Sequence, residues 1–266
     1  MGWFGPKNRI ASITTRWVQI RPLVMPSATV ASMTRHVVVT GANRGIGRAI
    51  AEAFVAAGDT VSTICRGGDL PEGVTGAIAD ITDTDAVNAA FDELEEKHGR
   101  VRVLVANAGI TRDGLLMRMS DEEFKQVIDT NLTGTFRTVR RAVQSMMREK
   151  YGRIILVGSV VGLMGNPGQV NYSSSKSALV GMARSITREV GSRGITANVI
   201  APGFIETAMT AELSEDLVKQ YQANIPARRF GSTEDVASAA VFLGSDAAGY
   251  ISGAVLPVDG GLGMGH

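Results

Sequence analysis

The chain has 266 residues, 44% of them hydrophobic and 31 of them glycine, so it can form one large domain or two small ones with many tight turns. Its single cysteine, Cys65, excludes an intramolecular disulfide, and three histidines leave little for a structural zinc site. A net charge of +1 gives no basic footprint for nucleic acid, and no apolar run reaches the roughly 18 residues that span a bilayer, so we expect a soluble, cytoplasmic protein.

Residues 1–33 differ from the rest of the chain because they are basic and contain no acidic residue. They hold four basic residues and both tryptophans, namely Lys7, Arg9, Arg16, Arg21, Trp3 and Trp17. This composition is typical of an organelle transit peptide, which would move the protein out of the cytoplasm. A disordered leader, or translation that begins at Met25 or Met33, is the alternative. We exclude this segment from the fold and expect residues 34–266 to form one catalytic domain.

A short β-branched run, His36–Thr40, predicts a strand that is buried on both faces. It leads into a glycine-rich turn and then an amphipathic helix, expected over Arg48–Ala57. Strand, glycine turn and helix in this order are typical of a dinucleotide-binding site. Gly41 would allow the tight turn, Gly45 the approach of backbone to pyrophosphate, and Gly47 the close packing of helix on strand.

The second predicted strand, Thr60–Ile64, ends beside Cys65 and Arg66. In a dinucleotide fold this strand end faces the adenosine ribose. An acid there binds the 2′-hydroxyl of NAD, whereas an arginine can pair with the 2′-phosphate of NADP. Arg66, with Arg44 in the glycine turn, therefore favours NADP(H); two solvated surface arginines are the alternative.

Strands and helices alternate along the rest of the chain. Further strands are predicted at Ala77–Ile81, Val101–Val105, Arg153–Val157, Thr196–Ile200 and Val255–Val258. Further helices are predicted at Asp83–Lys97, Glu122–Thr130 and Leu132–Lys150, after Tyr172, over a polar stretch to about residue 224, and at Thr233–Leu243. This alternation predicts an α/β fold with a Rossmann-type, doubly wound parallel sheet in a single domain, and ligands at the carboxyl ends of the strands.

Tyr172 and Lys176 stand four residues apart, in a segment whose apolar residues repeat at helical spacing. On a helix the two side chains share one face. A nearby ammonium stabilises a phenolate, so we expect Lys176 to lower the pKa of Tyr172 towards the working range of a general acid. Such pairs also occur by chance on helix surfaces, so this pair needs the support of other motifs.

Several short motifs supply that support, in the order Thr40-Gly41-x3-Gly45-x-Gly47, Asp80, Asn107-Ala108-Gly109, Asn131, Ser159, Tyr172-x3-Lys176 and Pro202-Gly203-x3-Thr207. Together they resemble the short-chain dehydrogenase/reductase family over essentially all of residues 34–266. Residues 107–119, 158–166 and 202–207 resemble the 3-oxoacyl-[acyl-carrier-protein] reductases of type II fatty acid synthesis. The ending, residues 258–266, is similar to the actinobacterial, mycolate-pathway branch of those reductases.

The resemblance implies four catalytic residues. Tyr172 would protonate the ketone oxygen of the substrate, and Ser159 would orient that carbonyl. Lys176 would hold the nicotinamide ribose and lower the pKa of Tyr172, and Asn131 would sustain a water relay to Lys176. On local sequence alone, a buried turn serine at 159 and a simple helix break before Leu132 are the alternatives.

The resemblance also implies an NADPH site. Its residues would be Gly41, Asn43, Arg44, Gly45, Ile46, Gly47, Arg66, Asp80, Ile81, Asn107, Ala108, Gly109, Tyr172, Lys176, Pro202, Gly203, Ile205 and Thr207. Thr207 would bond the carboxamide and fix which nicotinamide face is presented. Ala208 departs from the pattern, since relatives usually carry aspartate there, which puts details of the lid after Pro202 in doubt.

We therefore expect NADPH-dependent reduction of 3-oxoacyl-[acyl-carrier-protein] to the 3-hydroxyacyl form, with no metal. One alternative is a carbonyl reductase of another substrate class, such as acetoacetyl-CoA, quinones or sterols. A second is a non-catalytic NADP-sensing module, which would not need the four catalytic residues together.

The resemblance further implies a homotetramer, formed through the two long central helices and the C-terminal strand region. An acidic acyl carrier protein would need a basic docking patch, which we expect beside the active-site mouth at Lys150 and Arg193. Two ordinary solvated charges are the alternative.

Overall fold

The computed structural model describes Met1, residues 34–207, Thr210 and residues 214–264. The predictions for the leader and for Ala208 lie outside this part of the chain. The described strands are β1 (His36–Thr40), β2 (Thr60–Cys65), β3 (Val74–Ile78), β4 (Val101–Ala106), β5 (Gly152–Val157), β6 (Ile195–Pro202) and β7 (Val255–Val258). The described helices are α1 (Gly45–Ala56), α2 (Thr84–His98), α3 (Asp121–Ile128), α4 (Thr135–Glu149), α5 (Val161–Met164), α6 (Val170–Val190), α7 (Glu215–Asn224) and α8 (Thr233–Gly244).

The described strands form a seven-stranded sheet in the order β3-β2-β1-β4-β5-β6-β7, and every pair of neighbours is parallel. Because β1 lies between β2 and β4, the chain winds outward in one direction from β1 to β3 and in the other from β4 to β7. The predicted α/β fold, a Rossmann-type doubly wound sheet, is confirmed.

Helices cover both faces of this sheet, which is why its central strands are buried along their whole length. On one face, Phe54 of α1 is fully buried in a core that α8 completes. On the other face, Phe91 of α2, Met146 of α4 and Leu179 of α6 are fully buried. The β-branched runs read from the sequence are therefore strands with apolar partners on both sides.

β3 begins and ends earlier than the sequence suggests, so Asp80 and Ile81 lie beyond it. The reason is turn chemistry. The Asp80 carboxylate accepts hydrogen bonds from the backbone N–H and the hydroxyl of Thr82, which bend the chain away from the sheet. Asp83 then caps α2 by accepting from two backbone N–H groups. The prediction of a strand over Ala77–Ile81 is wrong by three residues at each end.

The long segment before β5 is continuous, whereas the sequence predicts two helices that meet at Asn131. α3 begins at a capping box made by Ser120 and Glu123. A π-helical turn, Asp129–Gly134, then joins α3 to α4 without a break. α4 ends where Lys150 takes a left-handed conformation, with φ of 51°. The alternative prediction of a simple helix break before Leu132 is therefore wrong, and Asn131 lies inside the π turn.

Candidate active site

The carboxyl ends of β1 and β4 are joined by hydrogen bonds where the winding direction reverses. The Thr40 hydroxyl accepts from the backbone N–H groups of Asn107 and Ala108, both at 3.0 Å. The Asn107 amide donates to the carbonyl oxygens of Thr40 at 3.0 Å and Gly41 at 3.3 Å. In open α/β sheets, ligands bind in the crevice at such a switch point. Asn107 therefore shapes the crevice, together with Thr40, which is not among the predicted site residues.

The glycine turn brings the start of α1 close to β1. Gly41 and Gly45 have φ of 73° and 53°, in the left-handed region that favours glycine. A Cβ on Gly47 would lie 2.3 Å from the Gly41 carbonyl oxygen and 2.4 Å from the Asn107 amide nitrogen. Arg44 precedes the first turn, and no side chain of the described residues caps α1. The N–H groups at the start of α1 are thus open to an anion.

Two arginines lie near the predicted adenosine end of the crevice. Arg66, directly after β2, is 72% exposed and lies 3.8 Å from a carboxylate oxygen of Asp80. The backbone N–H of Thr82 lowers the pKa of Asp80 most, and the charge of Arg66 adds to that effect. Arg44 is exposed in the glycine turn. Both cations are therefore reachable from solvent, although Asp80 competes for Arg66.

Asn131 is completely buried, and its amide is held by three hydrogen bonds. Its oxygen accepts from the Ile110 backbone N–H at 2.8 Å, and its nitrogen donates to the Ile110 carbonyl at 2.9 Å and to the Ser175 hydroxyl at 3.1 Å. A Cβ on Gly109 would lie 3.1 Å from this oxygen and 3.4 Å from Lys176 Nζ. Asn131 thus connects the loop after β4 to α6, beside Lys176. The sequence does not single out Ser175.

Ser159, Tyr172 and Lys176 come together between the end of β5 and the start of α6. Ser159 follows β5, and its hydroxyl accepts from the Val161 N–H at 3.2 Å at the start of α5. Lys176 Nζ donates to the Val157 carbonyl at 2.8 Å and lies 5.7 Å from the centre of the Tyr172 ring. The predicted helix with Tyr172 and Lys176 on one face is present. Two hydroxyls and one ammonium therefore share a small site.

The pKa values at this site differ from the expectation. Burial raises the pKa of Tyr172; hydrogen bonding to Ser159 opposes that rise, and the charge of Asp113 adds to it. Burial also lowers the pKa of Lys176 to about 8. The predicted lowering of the Tyr172 pKa by Lys176 is therefore wrong. The ammonium lies over the ring and donates to a carbonyl instead of the phenol, and its own charge is disfavoured.

The predicted residues after β6 lie at the same edge of the sheet. The N–H of Gly203, next to Pro202, donates to β7 at 3.0 Å. Ile205 is buried below this segment. Thr207 faces the glycine turn, since its methyl carbon is 3.9 Å from the point where a Cβ would stand on Gly45. Of the other predicted cofactor residues, Asn43 lies in the glycine turn, Ile46 in the first turn of α1, Ile81 beyond β3 and Ala108 just beyond β4.

Comparisons with known proteins agree with this geometry. Residues 41–263 match the family model described as "Enoyl-(Acyl carrier protein) reductase". The chain belongs to the short-chain dehydrogenase/reductase family. It is 51% identical over 89% of its length to the 3-oxoacyl-[acyl-carrier-protein] reductase MabA of Mycobacterium avium, covering 92% of that protein. It is 46% identical over 85% of its length to the 3-oxoacyl-[acyl-carrier-protein] reductase FabG of Escherichia coli strain K12, covering 96% of that protein.

In this short-chain dehydrogenase/reductase, Lys150 and Arg193 do not lie at the mouth of their own site. Lys150 precedes β5 and Arg193 precedes β6, whereas Ser159 follows β5. Since β5 and β6 are parallel, with Gly152 paired to Ile195, both basic residues lie at the amino-terminal edge of the sheet. They are close together but on the opposite edge from Ser159. The expectation that they flank the mouth of the same chain's site is wrong.

In the part of the chain that the structure describes, no helix combines the length and the apolarity needed to cross a membrane. The same residues contain no group of three or more His, Cys, Asp or Glu side chains placed to share a metal ion.

Proposed function

We propose that this chain is a cytoplasmic 3-oxoacyl-[acyl-carrier-protein] reductase of type II fatty acid synthesis, which forms 3-hydroxyacyl thioesters with NADPH. The observation that carries the proposal is the grouping of Ser159, Tyr172 and buried Lys176 at the same sheet edge as the uncapped start of α1. This arrangement places hydroxyl donors and an anion site around one crevice. The names of the relatives favour an acyl-carrier thioester as the substrate.

The chain's own residues supply the proton and the orientation that a carbonyl reduction needs. The Ser159 hydroxyl donates a hydrogen bond to the carbonyl oxygen and holds it in place. Tyr172 donates its proton to the same oxygen as negative charge develops there. Its raised pKa keeps the phenol protonated at neutral pH, which is the form that a general acid requires. Asn131 holds the loop after β4 and supports a water relay towards Lys176.

The residues present fit a nicotinamide dinucleotide. Because Gly47 has no Cβ, the start of α1 can lie close to Gly41. This places the free N–H groups of α1 where they can receive a pyrophosphate. Arg44 and Arg66 would hold the 2′-phosphate. When bound, NADPH supplies the hydride. Lys176 would hold the nicotinamide ribose, and the other predicted residues at the strand ends would line the remaining surface.

A substrate comparison tests the activity. The purified chain should oxidise NADPH with 3-oxoacyl-[acyl-carrier-protein], and Tyr172→Phe should not. The description of the family model also favours an enoyl thioester, so the matched enoyl substrate is assayed at the same concentration. Quinones and sterol ketones complete the panel. Faster reduction of any of these than of the 3-oxoacyl thioester would refute the proposed substrate, and no turnover with any would favour an NADP-sensing module.

The preference for NADPH rests on Arg66. Arg66→Ala should weaken NADPH binding roughly ten- to a hundred-fold, because a charge-assisted contact contributes about 1.5–3 kcal/mol. NADH lacks the 2′-phosphate, so its dissociation constant should change little. Both constants are measured by cofactor fluorescence. Equal losses for both cofactors would show that Arg66 acts only on structure.

We also propose that the chain assembles as a homotetramer through α4, α6 and the β7 edge. Phe136 of α4 is 46% exposed, which suits a contact with a second copy. A two-fold axis perpendicular to α4 and α6 would make them antiparallel to their copies, and would set the amino-terminal edge of one protomer beside the carboxyl-terminal edge of its partner. A carrier-docking role for Lys150 and Arg193 requires this pairing. Sedimentation velocity measures the assembly.

Charge reversal tests the docking role. Lys150→Glu with Arg193→Glu should raise the KM for the carrier-bound substrate severalfold, and salt should reduce the difference, because exposed charges are screened over about 8 Å. The matching N-acetylcysteamine thioester, which has no carrier protein, is the control. Equal losses for both substrates would exclude docking at these two residues.

A further inference from the structure

Three consecutive large apolar side chains are exposed in the loop after β4. Leu115 is 60% exposed, Leu116 72% and Met117 95%. We call these three residues the apolar strap. Single exposed apolar residues are common, but an uninterrupted exposed run is unfavourable in water unless something covers it. The proposed chemistry at Ser159 and Tyr172 does not use the strap.

Hydrogen bonds tie the residues just before the strap to the chain just before the catalytic tyrosine. The Gly114 N–H donates to the Gly168 carbonyl at 2.8 Å. The Asp113 carboxylate accepts from the Gln169 amide at 2.9 Å. The carbonyl of Arg112 accepts from the Asn171 amide at 2.8 Å, and Asn171 directly precedes Tyr172. The residues before the strap are thus tied at three successive positions to the chain at and just before the start of α6.

The strap is also fixed at its far end, so its exposure does not result from a loose loop. The N–H groups of Arg118 and Met119 both donate to the Leu115 carbonyl, at 2.8 and 3.0 Å, in a short 3₁₀ turn. Ser120, two residues after Arg118, begins the capping box of α3. The backbone is therefore ordered by hydrogen bonds, while the apolar side chains point away from the core.

We propose that the strap is the binding surface for the acyl chain of the substrate, and that it favours medium or long chains over short ones. This inference rests on the proposed function, because it assumes a thioester whose carbonyl lies at Ser159 and Tyr172. Beyond its 3-oxo group the acyl chain of such a substrate has no polar atoms, so an apolar surface near the mouth would favour its binding. The unbranched thioether of Met117 adapts to chains of different length.

Chain length against reaction rate tests the strap. For the wild type, kcat/KM should be higher for the 3-oxodecanoyl than for the acetoacetyl thioester of N-acetylcysteamine. In Leu116→Ser with Met117→Ser the ratio of the two values should fall roughly tenfold, the effect of one to two buried methylenes. Tyr250→Ser is the matched control. Tyr250 is fully exposed and precedes β7, so it lies at the other edge of the sheet.

A binding measurement separates this inference from the proposed activity. Calorimetry with the saturated decanoyl and butyryl thioesters of N-acetylcysteamine should show tighter binding of the decanoyl form by the wild type, and a smaller difference in the double variant. If the chain reduces no 3-oxoacyl thioester but shows this binding, the activity fails and the strap stands.

Three results would overturn the inference. One is a wild type that does not distinguish the two chain lengths in either assay. The second is a double variant that loses rate on both substrates equally, or a Tyr250→Ser protein that changes the ratio as much. The third is a double variant with an altered sedimentation coefficient and an unchanged ratio, since the strap would then be covered by a second copy of the chain.

Discussion

Lys176 should destabilise the protein when no cofactor is bound, and replacing it should make this destabilisation measurable. Its ammonium is almost fully buried, and burial lowers the pKa from 10.5 to about 8. A change of that size corresponds to about 3 kcal/mol, at 1.36 kcal/mol for each pKa unit. The hydrogen bond to the Val157 carbonyl offsets part of this cost at neutral pH, by about 1.5–3 kcal/mol for a charged donor.

The pH dependence isolates this effect. Below about pH 8, Lys176 is charged in both the folded and the unfolded chain, so the full penalty is present. Between about 8 and 10.5 the unfolded chain binds the extra proton, so the free energy of unfolding rises with pH. In Lys176→Met this contribution is absent. The stability of the variant relative to the wild type should therefore fall by about 3 kcal/mol across that window.

Urea unfolding followed by circular dichroism, at a series of pH values and without cofactor, measures the difference. Cofactor is left out because its binding would add its own free energy to the folded state. Lys125→Met removes the same charge from an exposed side chain of α3 and serves as the control. A difference between wild type and Lys176→Met that stays flat from pH 8 to 10.5 would refute the reasoning, and so would the same slope in Lys125→Met.

Three shorter predictions concern other parts of the chain. Tyr172→Phe should lower turnover by roughly 10²–10⁴ and leave NADPH affinity nearly unchanged; a variant that keeps more than about half of the wild-type turnover would contradict the assignment. Gly47→Ala should lower the free energy of unfolding by about 1–3 kcal/mol, measured by urea titration, because its Cβ would meet the Gly41 carbonyl at 2.3 Å; unchanged stability would show that the turn can widen. Burial lowers the pKa of His36 from 6.5, and the hydrogen bond to the Gly99 carbonyl opposes this, so the free energy of unfolding should fall as pH drops below 6.5. His36→Gln should reduce this dependence on pH, and an equally steep dependence in the variant would assign it to other groups.

The sequence predicts best where a single physical cause decides the structure. β1 and β7 match their predicted ranges, because a short apolar run between turn residues has few alternatives to a buried strand. The pairing of Tyr172 with Lys176 follows in the same way from the period of the helix. Both depend only on neighbours in the chain.

Prediction fails where two local patterns compete for the same residues, or where partners distant in sequence decide the outcome. The end of β3 depends on the Asp80 bonds to Thr82, which compete with a strand pattern that continues to Ile81. The pKa of Tyr172 depends on how deeply α6 packs, which no local pattern reports. The edge of the sheet at which Lys150 lies could be predicted only once the relative directions of β5 and β6 were known.

The π turn at Asp129–Gly134 makes the length of the segment between α3 and α4 matter. A π turn contains one residue more than an α-helical turn of the same span. Deleting one residue there would let a regular helix join α3 to α4 with both buried faces kept in place, because the wider turn is what accommodates the extra residue. Asn131, which lies inside the turn, would move relative to Ile110 and Ser175 and lose its hydrogen bonds to them. A deletion here should therefore damage the site more than the packing of the two helices.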